Sequence, residues 1–346
     1  MTDSQTWTSD LNLSDNEFWA QPPEQRYAAY RTLRALQSPP FFEAGESPFG
    51  TEERGYYALL RHADVAEASR NPQLFSSAAG ATSIFDLPVE FNEYFGSMIS
   101  MDDPRHARLR RIVSRAFTPK MIKKFEEDVQ RTAGGDLAAL VTGLAEQRQA
   151  EPTDDLVSSL ATANIDGEQL TPAELASFFI LLVVAGNETT RNAISHALLL
   201  LTEYPAQREL LLADFDSRIG PAVEEIVRFV SPVIWMRRTL TRDTVMNGYA
   251  YRENDRVLLM YQAANRDEAV FDDPDRFDIT RSPNPHVGFG SPGPHFCLGA
   301  HLARREISAM LRELLTRVPD IRAAGEPDYL LSSFINGIKH LPCEFG

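Results

Sequence analysis

The chain has 346 residues, of which 43% are hydrophobic and 24% are charged, the proportions of a globular protein with a large core. Its formal net charge of −15 at pH 7 argues against a nucleic-acid-binding surface. Two cysteines, Cys297 and Cys343, are too few for a disulfide framework and indicate a reducing compartment. The N-terminal residues have neither a basic start nor an apolar stretch, so we expect a cytoplasmic protein without an N-terminal anchor.

In chain order, the apolar spacing of residues 15–37 predicts helix, and residues 56–60 and 257–261 predict short strands. Helical patterns dominate between residues 103 and 310. We therefore expect a mainly α fold with minor β, formed as a single domain over residues 1–346.

Capping residues predict where three helices begin. Asp103 is an N-cap acceptor that is followed by a proline. Thr171 and Glu174 form a capping box, and the helix they begin can run to Tyr204, a length of roughly 50 Å that traverses the molecule. A third helix is predicted to begin near Pro221.

The long helix contains an apolar stretch over residues 175–186. This stretch is shorter than the about 20 apolar residues that a bilayer requires. Asn187, Glu188 and Arg191 follow at once. We therefore expect a buried core helix and no integral membrane association.

A loop rich in glycine and proline surrounds one of the two cysteines, in Phe289-Gly-Ser-Pro-Gly-Pro-His-Phe-Cys297-Leu-Gly299. Such a loop is rigid and can approach a flat ligand closely. It leads directly into an amphipathic helix at residues 302–318, whose N-terminus favours a thiolate. The alternative interpretation of Cys297 is a buried structural cysteine, which this sequence context disfavours.

Polar residues interrupt the middle of the long helix. Glu188 and Thr189 lie side by side within an apolar sequence, and a carboxylate beside a hydroxyl in that position is suited to proton delivery. Thr189 can donate a hydrogen bond to the Ala185 carbonyl and open the helix locally. Gly186 leaves room for a diatomic ligand. The alternative is a solvated polar patch, which the apolar flanks disfavour.

Two further pairs lie one helical turn apart. His106 and Arg110 are cationic donors at i and i+4 that suit a pair of carboxylates. Glu225 and Arg228 can form an ion pair on one helix face, although such pairs are also common on exposed helices.

The cysteine loop resembles the haem-binding signature of the cytochromes P-450, with one residue more than the commoner form between Phe289 and Cys297. The longer form resembles a group of actinobacterial enzymes that act on sterols and methyl-branched lipids. Segments near the N-terminus, before the helix at Asp103 and around Glu188 resemble the mycobacterial omega-hydroxylases of methyl-branched lipids. The signature is carried on Phe289, Gly290, Gly293, His295, Cys297 and Gly299.

This resemblance implies a cytochrome P-450 fold with haem b and with Cys297 as the axial ligand of the haem iron. Glu188 and Thr189 would be the acid–alcohol pair, and Glu225, Arg228 and Arg276 would be a structural set. The residues implied to contact the cofactor are His106, Arg110, Gly186, Arg238 (or Arg237 in its place), Phe289, Gly290, His295, Cys297 and Gly299.

The implied function is a haem-thiolate monooxygenase that hydroxylates a hydrophobic substrate, such as a methyl-branched fatty acid, an isoprenoid or a sterol. It would use O₂ and two electrons from a ferredoxin and an NAD(P)H-dependent ferredoxin reductase, because the sequence carries no dinucleotide-binding glycine motif and no iron–sulfur cysteine cluster. The expected substrate pocket is lined by Ile84, Phe95, Val184, Val233, Phe334 and Ile335.

One region departs from the family pattern. Between residues 120 and 170 the chain is too short for all the helices expected there, and a junction near residues 132–136 lacks the lid over the substrate pocket. A natural minimal enzyme, an engineered deletion and an incomplete gene sequence all remain open. We expect exposed apolar surface around Phe178, Phe179 and Leu182. The alternative function is a non-catalytic or poorly coupled haem-binding protein.

Overall fold

A computed structural model describes residues 11–45, 54–116, 147–148, 150–153, 156–163 and 167–346. The described part is mainly helical with a small β component, as the sequence predicts. Its α-helices are α1 (Asn16–Trp19), α2 (Pro23–Arg34), α3 (His62–Arg70), α4 (Val89–Gly96), α5 (Arg105–Ala116), α6 (Leu156–Ala161), α7 (Pro172–Glu203), α8 (Pro205–Ala213), α9 (Phe215–Val230), α10 (Tyr261–Ala264) and α11 (Ala300–Arg317).

The largest sheet of the described residues has five strands, which are β1 (Phe41–Phe42), β2 (Tyr56–Leu59), β3 (Phe75–Ser76), β4 (Trp235–Leu240) and β7 (Arg256–Met260). Their order in the sheet is β1-β2-β7-β4-β3. β2 and β7 are parallel, and β4 runs antiparallel to β7 with Arg238 opposite Val257. Two-stranded pairs are formed by β5 (Thr244–Met246) with β6 (Tyr249–Tyr251), β8 (Arg322–Ala323) with β11 (Cys343–Glu344), and β9 (Asp328–Tyr329) with β10 (Ile338–His340).

α7 connects two hydrophobic clusters. Its first half contributes Phe178 and Phe179 to a cluster that also contains Ile112 of α5 and Leu160 of α6. Its second half packs its leucines against α9 and α11, around Leu311 and neighbouring residues. α7 begins at the predicted capping box, since Thr171 accepts from the Glu174 N–H and Glu174 accepts from the Thr171 N–H.

Several predicted boundaries differ from the structure. Residues 15–37 form two helices, because the Pro22–Pro23 pair begins α2 separately from α1. α5 begins at Arg105, and the Asp103 carboxylate accepts from the Ala107 N–H at 3.0 Å. The helix predicted from Pro221 begins at Phe215 instead, with the proline inside it.

Candidate active site

The cysteine loop is closed by its own backbone and packs tightly on α3. The Cys297 N–H donates to the Phe289 carbonyl at 2.9 Å. Gly290 has φ +82°, a conformation that favours glycine. At Gly293 a Cβ atom would lie 2.2 Å from the Ser69 carbonyl oxygen, so a larger residue would push the loop away from α3. These contacts fix the cysteine at the entrance to α11.

The Cys297 side chain is solvent-accessible, yet it lies inside the molecule beside other side chains. Burial raises the pKa of the thiol, and the Gly299 N–H and the guanidinium groups of Arg110 and Arg304 partly oppose that increase. The two observations agree if the sulfur borders an internal space that is open to water. The donors favour a thiolate, which a bound metal ion would stabilise further.

Four basic side chains from three separate segments meet beside this cysteine. The rings of His106 on α5 and His295 in the loop lie 4.2 Å apart between centroids. Burial, and then the charges of Arg238, His106 and Arg110, lower the pKa of His295 to about 2. We call His106, Arg110, Arg238 and His295 the cationic cluster.

The cationic cluster has unused hydrogen-bonding capacity. The buried Nε2 atom of His106 has no partner among the described residues. Arg110 donates to the Phe296 carbonyl at 2.6 Å, and Arg238, which is 5% exposed, donates to the Arg237 carbonyl at 2.7 Å. The His106 Nδ1 atom lies 3.5 Å from the Asp103 carboxylate, but Arg110 and Arg238 have no carboxylate partner among the described residues, and buried cations without such partners are costly. The cluster therefore fits a ligand with two carboxylates, such as the propionates of haem, held above the cysteine loop.

The structure distinguishes between the two arginines of β4. Arg237 is fully buried and donates to the carbonyls of Gly80, Ile84 and Phe85, and it pairs with Asp86 at 3.0 Å. Successive residues of a strand face opposite sides, so Arg238 points toward the cationic cluster. Arg238, and not Arg237, is therefore placed to contact a haem propionate.

The predicted proton-delivery pair lies on an uninterrupted part of α7. The Thr189 hydroxyl donates to the Ala185 carbonyl at 2.7 Å, as predicted, but the expected local opening is absent because α7 is continuous there. Glu188 pairs with Arg191, with 2.5 Å between the two side chains. A Cβ atom on Gly186 would meet no atom within 4 Å, so that face of the helix borders open space.

Two of the three predicted structural residues, Glu225 and Arg228, form the expected pair, and the third contact comes from a different arginine. Glu225 and Arg228 are fully buried and form two parallel hydrogen bonds of 2.7 and 2.8 Å. The predicted third member, Arg276, is wrong: its side chain is 61% exposed and pairs with Asp278, and only its backbone carbonyl accepts from Arg228. Arg281 contacts Glu225 instead, at 3.3 Å.

A second, partly buried network beside the loop is one that sequence reasoning missed. Glu224 accepts from the Arg304 guanidinium on α11 and lies 2.9 Å from the His286 ring. The Arg304 guanidinium lies 4.3 Å from the centre of the Phe289 ring. Burial raises the pKa of Glu224, but the bonds from Arg304 and His286 outweigh it and lower the pKa to about 2. Two sequence signals could have indicated this network: Glu224 adjoins Glu225, and His286 precedes the cysteine loop.

Tyr261 is another residue that sequence reasoning missed. Its phenol is buried at the start of α10, and burial raises its pKa, a change that the nearby charge of Arg238 opposes. The Cys297 sulfur acts in the same direction as burial. Tyr261 therefore lies close to both Arg238 and Cys297.

The predicted pocket residues divide into two groups. Ile84 and Phe334 pack against the core around Trp235, and Val233 forms a bridge with Ile335. Phe95 on α4 and Val184 on α7 are 55% and 61% exposed.

The predicted apolar exposure lies elsewhere on the molecule. Phe178 and Phe179 are only 2% and 3% exposed, because α5 and α6 cover them, and Leu182 is partly buried. That part of the prediction is wrong. The exposed apolar side chains near the pocket are instead Val89, Phe91, Phe95 and Val184.

The region that the sequence predicts to be shortened falls largely outside the described residues. Of the stretch 120–170, the structure describes residues 147–148, 150–153, 156–163 and 167–170. The predicted junction at 132–136 lies outside them.

The family comparison identifies the class of protein. Residues 82–318 match the Cytochrome P450 family, and this chain belongs to it. The family is haem-dependent, so haem is its cofactor. Cytochromes P450 use haem iron with a cysteine thiolate ligand, and the cysteine loop and cationic cluster have the chemistry to hold such a group.

Curated relatives show which members of the family this chain is similar to. The chain is 43% identical over 404 residues to a methyl-branched lipid omega-hydroxylase of Mycobacterium tuberculosis, covering 96% of this chain and 94% of the relative. It is 34% identical to a steroid C26-monooxygenase of Mycolicibacterium smegmatis, covering 87% and 86%. The first alignment is longer than the 346 residues of this chain, so it leaves positions of the relative without a counterpart here.

Solved structures agree on the fold. A Mycobacterium marinum cytochrome P450 in complex with pseudoionone is 36% identical, with a TM-score of 0.87 over 97% of this chain and 99% of that one. A Bacillus megaterium cytochrome P450 in complex with corticosterone is 26% identical, with a TM-score of 0.77 over 96% and 100%.

These comparisons establish a cytochrome P450 monooxygenase that acts on a hydrophobic substrate. Within the described residues, α7 is the helix long and apolar enough to cross a bilayer. Its buried Phe178, Phe179 and Leu198–Leu201 face the protein core, as in a core helix.

Proposed function

We propose that this protein hydroxylates a methyl-branched fatty acid, an isoprenoid or a sterol with O₂. One O₂, two electrons and two protons would convert a C–H bond to a C–OH group and release one water. The observation that carries this proposal is that Cys297 and the cationic cluster lie side by side, since they would supply the iron ligand and the propionate contacts of a haem site. The substrate class is taken from the relatives, which act on methyl-branched lipids and steroids.

Each residue around the cysteine would have a defined task. Cys297 would bind the haem iron as a thiolate, with Gly299 N–H and Arg110 stabilising the charge on sulfur. His106, Arg110, Arg238 and His295 would hold the propionates. Bound haem supplies the iron at which O₂ is reduced and activated.

The central helix would deliver protons. The Thr189 hydroxyl, already oriented by the Ala185 carbonyl, would hold a water at the O₂ site. The Glu188 carboxylate would pass protons to it from solvent after leaving Arg191. Electrons would come from a ferredoxin and an NAD(P)H-dependent ferredoxin reductase, at a cytoplasmic location.

The decisive experiment replaces the cysteine. The purified and reduced wild-type protein should give the strongly red-shifted carbon monoxide Soret band of thiolate-ligated haem. Cys297→Ala should lose that band. Cys343→Ala, which removes the other cysteine at an exposed position near the C-terminus, is the matched control and should retain it. A normal band in Cys297→Ala would refute the assignment of the iron ligand.

A poorly coupled haem protein is the second candidate. It is favoured by the chain being shorter than its alignment with the omega-hydroxylase and by the exposed Val89, Phe91, Phe95 and Val184. An open pocket admits water to the reactive site. Spin-state titrations with pseudoionone, corticosterone and palmitic acid separate the two functions. Loose binding of all three with high peroxide release supports the second candidate, whereas tight and selective binding with coupled turnover supports the first.

A further inference from the structure

A group of buried polar side chains without partners lies along α7 beyond Thr189. Asn192 is fully buried, and neither its amide nitrogen nor its amide oxygen has a partner among the described residues. The same holds for Nε2 of His196, which is 7% exposed, and for Nε of Arg26 on α2, which is 5% exposed. Each unsatisfied buried group costs about 1–3 kcal/mol. Several of them in one place indicate bound water.

The spacing places these groups in line with the O₂ site. Thr189, Asn192 and His196 lie at i, i+3 and i+7, on one stripe of the helix. Helical side chains tilt toward the N-terminus, so His196 leans toward Asn192 and Asn192 leans toward Thr189. The axial distance from Thr189 to His196 is about 10 Å, which about three or four hydrogen-bonded waters can span.

The turn between β9 and β10 covers this stripe of α7. A Cβ atom on Gly337 would lie 3.0 Å from the Asn192 amide nitrogen, so the backbone of the turn closes over this side chain. The His196 ring stacks on Tyr329 with 6.1 Å between centroids. The enclosed polar atoms are therefore separated from bulk solvent along this length.

The far end of the stripe approaches an acidic surface. Burial raises the pKa of Tyr329 to about 12, and the charges of Glu203 and Glu24 act in the same direction, so both carboxylates lie close to this phenol. Burial raises the pKa of Glu203, and Glu24 and Glu326 add to that increase. Burial lowers the pKa of His196 to about 4, opposed by the Asn336 backbone and reinforced by Arg26. At neutral pH the imidazole is therefore uncharged, and because its other nitrogen bonds the Asn336 backbone, its free Nε2 atom can accept a hydrogen bond from water.

We propose that Asn192 and His196 are positioning residues that hold a chain of buried water molecules, which carries protons along α7 from the surface at Glu24 and Glu203 to Thr189. This inference rests on the proposed function because Thr189 receives the protons there. It adds a route that enters from the side of α2 and the C-terminal turn, in addition to the route through Glu188. Each O₂ reduced by two electrons would draw two protons through these routes.

The experiment uses the haem-loaded enzyme with a surrogate ferredoxin, its reductase, NADPH and pseudoionone, the ligand of the Mycobacterium marinum relative. Asn192→Leu and His196→Phe remove the polar atoms while filling the space. His196→Gln restores hydrogen-bonding capacity. Ser195→Ala is the matched control, since this hydroxyl on the same helix donates to its own backbone at Arg191.

Both apolar variants should keep the carbon monoxide band and oxidise NADPH about tenfold more slowly. They should also show a larger ratio of rates in H₂O and D₂O, because proton delivery becomes rate-limiting, and a merely structural role would leave that ratio unchanged. His196→Gln and Ser195→Ala should resemble wild type. Wild-type rates and isotope ratios in both apolar variants would overturn the proposal.

A crystal structure provides a readout that needs no turnover. Ordered waters between Thr189 and His196 in the wild-type protein, lost in Asn192→Leu, support the chain of waters. A dry stripe in the wild-type protein refutes it. The proposed function fails separately, if wild type lacks the carbon monoxide band or forms no product while the waters are present.

Discussion

Replacing Arg238 with leucine should loosen haem while stabilising the haem-free protein. In the described structure, the guanidinium donates to one backbone carbonyl and otherwise faces His295, Tyr261 and the space above the cysteine loop. Burial lowers the pKa of Arg238, with Tyr261 and Asp102 opposing that change. The side chain is therefore a buried cation with little protein compensation, whose partner would be a propionate.

The magnitude follows from the bond that is lost. A hydrogen bond to a charged group contributes about 1.5–3 kcal/mol, so Arg238→Leu should accelerate haem release about 10- to 150-fold. Without the ligand the effect on stability reverses. Arg238→Leu replaces a buried cation, which has no carboxylate partner among the described residues, with an apolar side chain, so the cost of burying that charge is removed. The haem-free variant should therefore unfold at a higher denaturant concentration than haem-free wild type.

Two measurements test these opposite effects. Haem transfer to excess apomyoglobin gives the release rate, and urea unfolding of the haem-free proteins followed by circular dichroism gives the stability. Arg237→Leu is the control on the neighbouring residue. It should destabilise the haem-free protein, because Arg237 holds the carbonyls of Gly80, Ile84 and Phe85. An Arg238→Leu protein that releases haem at the wild-type rate would refute the propionate assignment.

Three further substitutions test the remaining contacts. Thr189→Ala should retain haem but form about tenfold less product per NAD(P)H, with more peroxide, because the oriented hydroxyl is lost; unchanged coupling would remove Thr189 from proton delivery. Glu225→Gln should lower the free energy of unfolding by about 3 kcal/mol, because Arg228 is left charged and buried. Glu313→Gln, in the exposed pair with Arg317, is the control and should lower it by less than about 1 kcal/mol, and equal effects of the two substitutions would contradict this reasoning. Glu224 has a folded pKa of about 2 against 4.5, so its stabilisation, about 1–2 kcal/mol after screening, is present above pH 4.5 and lost as pH falls toward 2. Acid titrations of unfolding should show a weaker pH dependence in Glu224→Gln.

Features set by neighbouring residues could be predicted from the sequence. The capping box of Thr171 and Glu174 and the bond from Thr189 to the Ala185 carbonyl depend only on residues within one turn. The helix start could not be placed, because residues 215–220 form helix before Pro221, and a proline is normally disfavoured inside a helix. At this position the packing of α9 outweighs the low helix propensity of proline.

Features set by distant contacts could not be predicted. Arg276 matches a sequence pattern, but the chain turns so that Arg281, 56 residues from Glu225, reaches the carboxylate instead. Burial of Phe178 and Phe179 depends on α5 and α6, whose positions the sequence does not give. Likewise, alternation along β4 indicates that Arg237 and Arg238 face opposite ways, but only the pairing with β7 determines which of them faces the cysteine.

The residues proposed to hold the haem lie outside the stretch that the sequence predicts to be short. The cationic cluster and the cysteine come from α5, β4 and the loop before α11, and none of these falls between residues 120 and 170. Their mutual positions depend on the five-stranded sheet, the Glu225–Arg228 pair and the Glu224–Arg304 contact, which are also outside it. A loss of lid residues would therefore act on enclosure of the substrate and exclusion of water, and would leave in place the residues that are proposed to contact the haem.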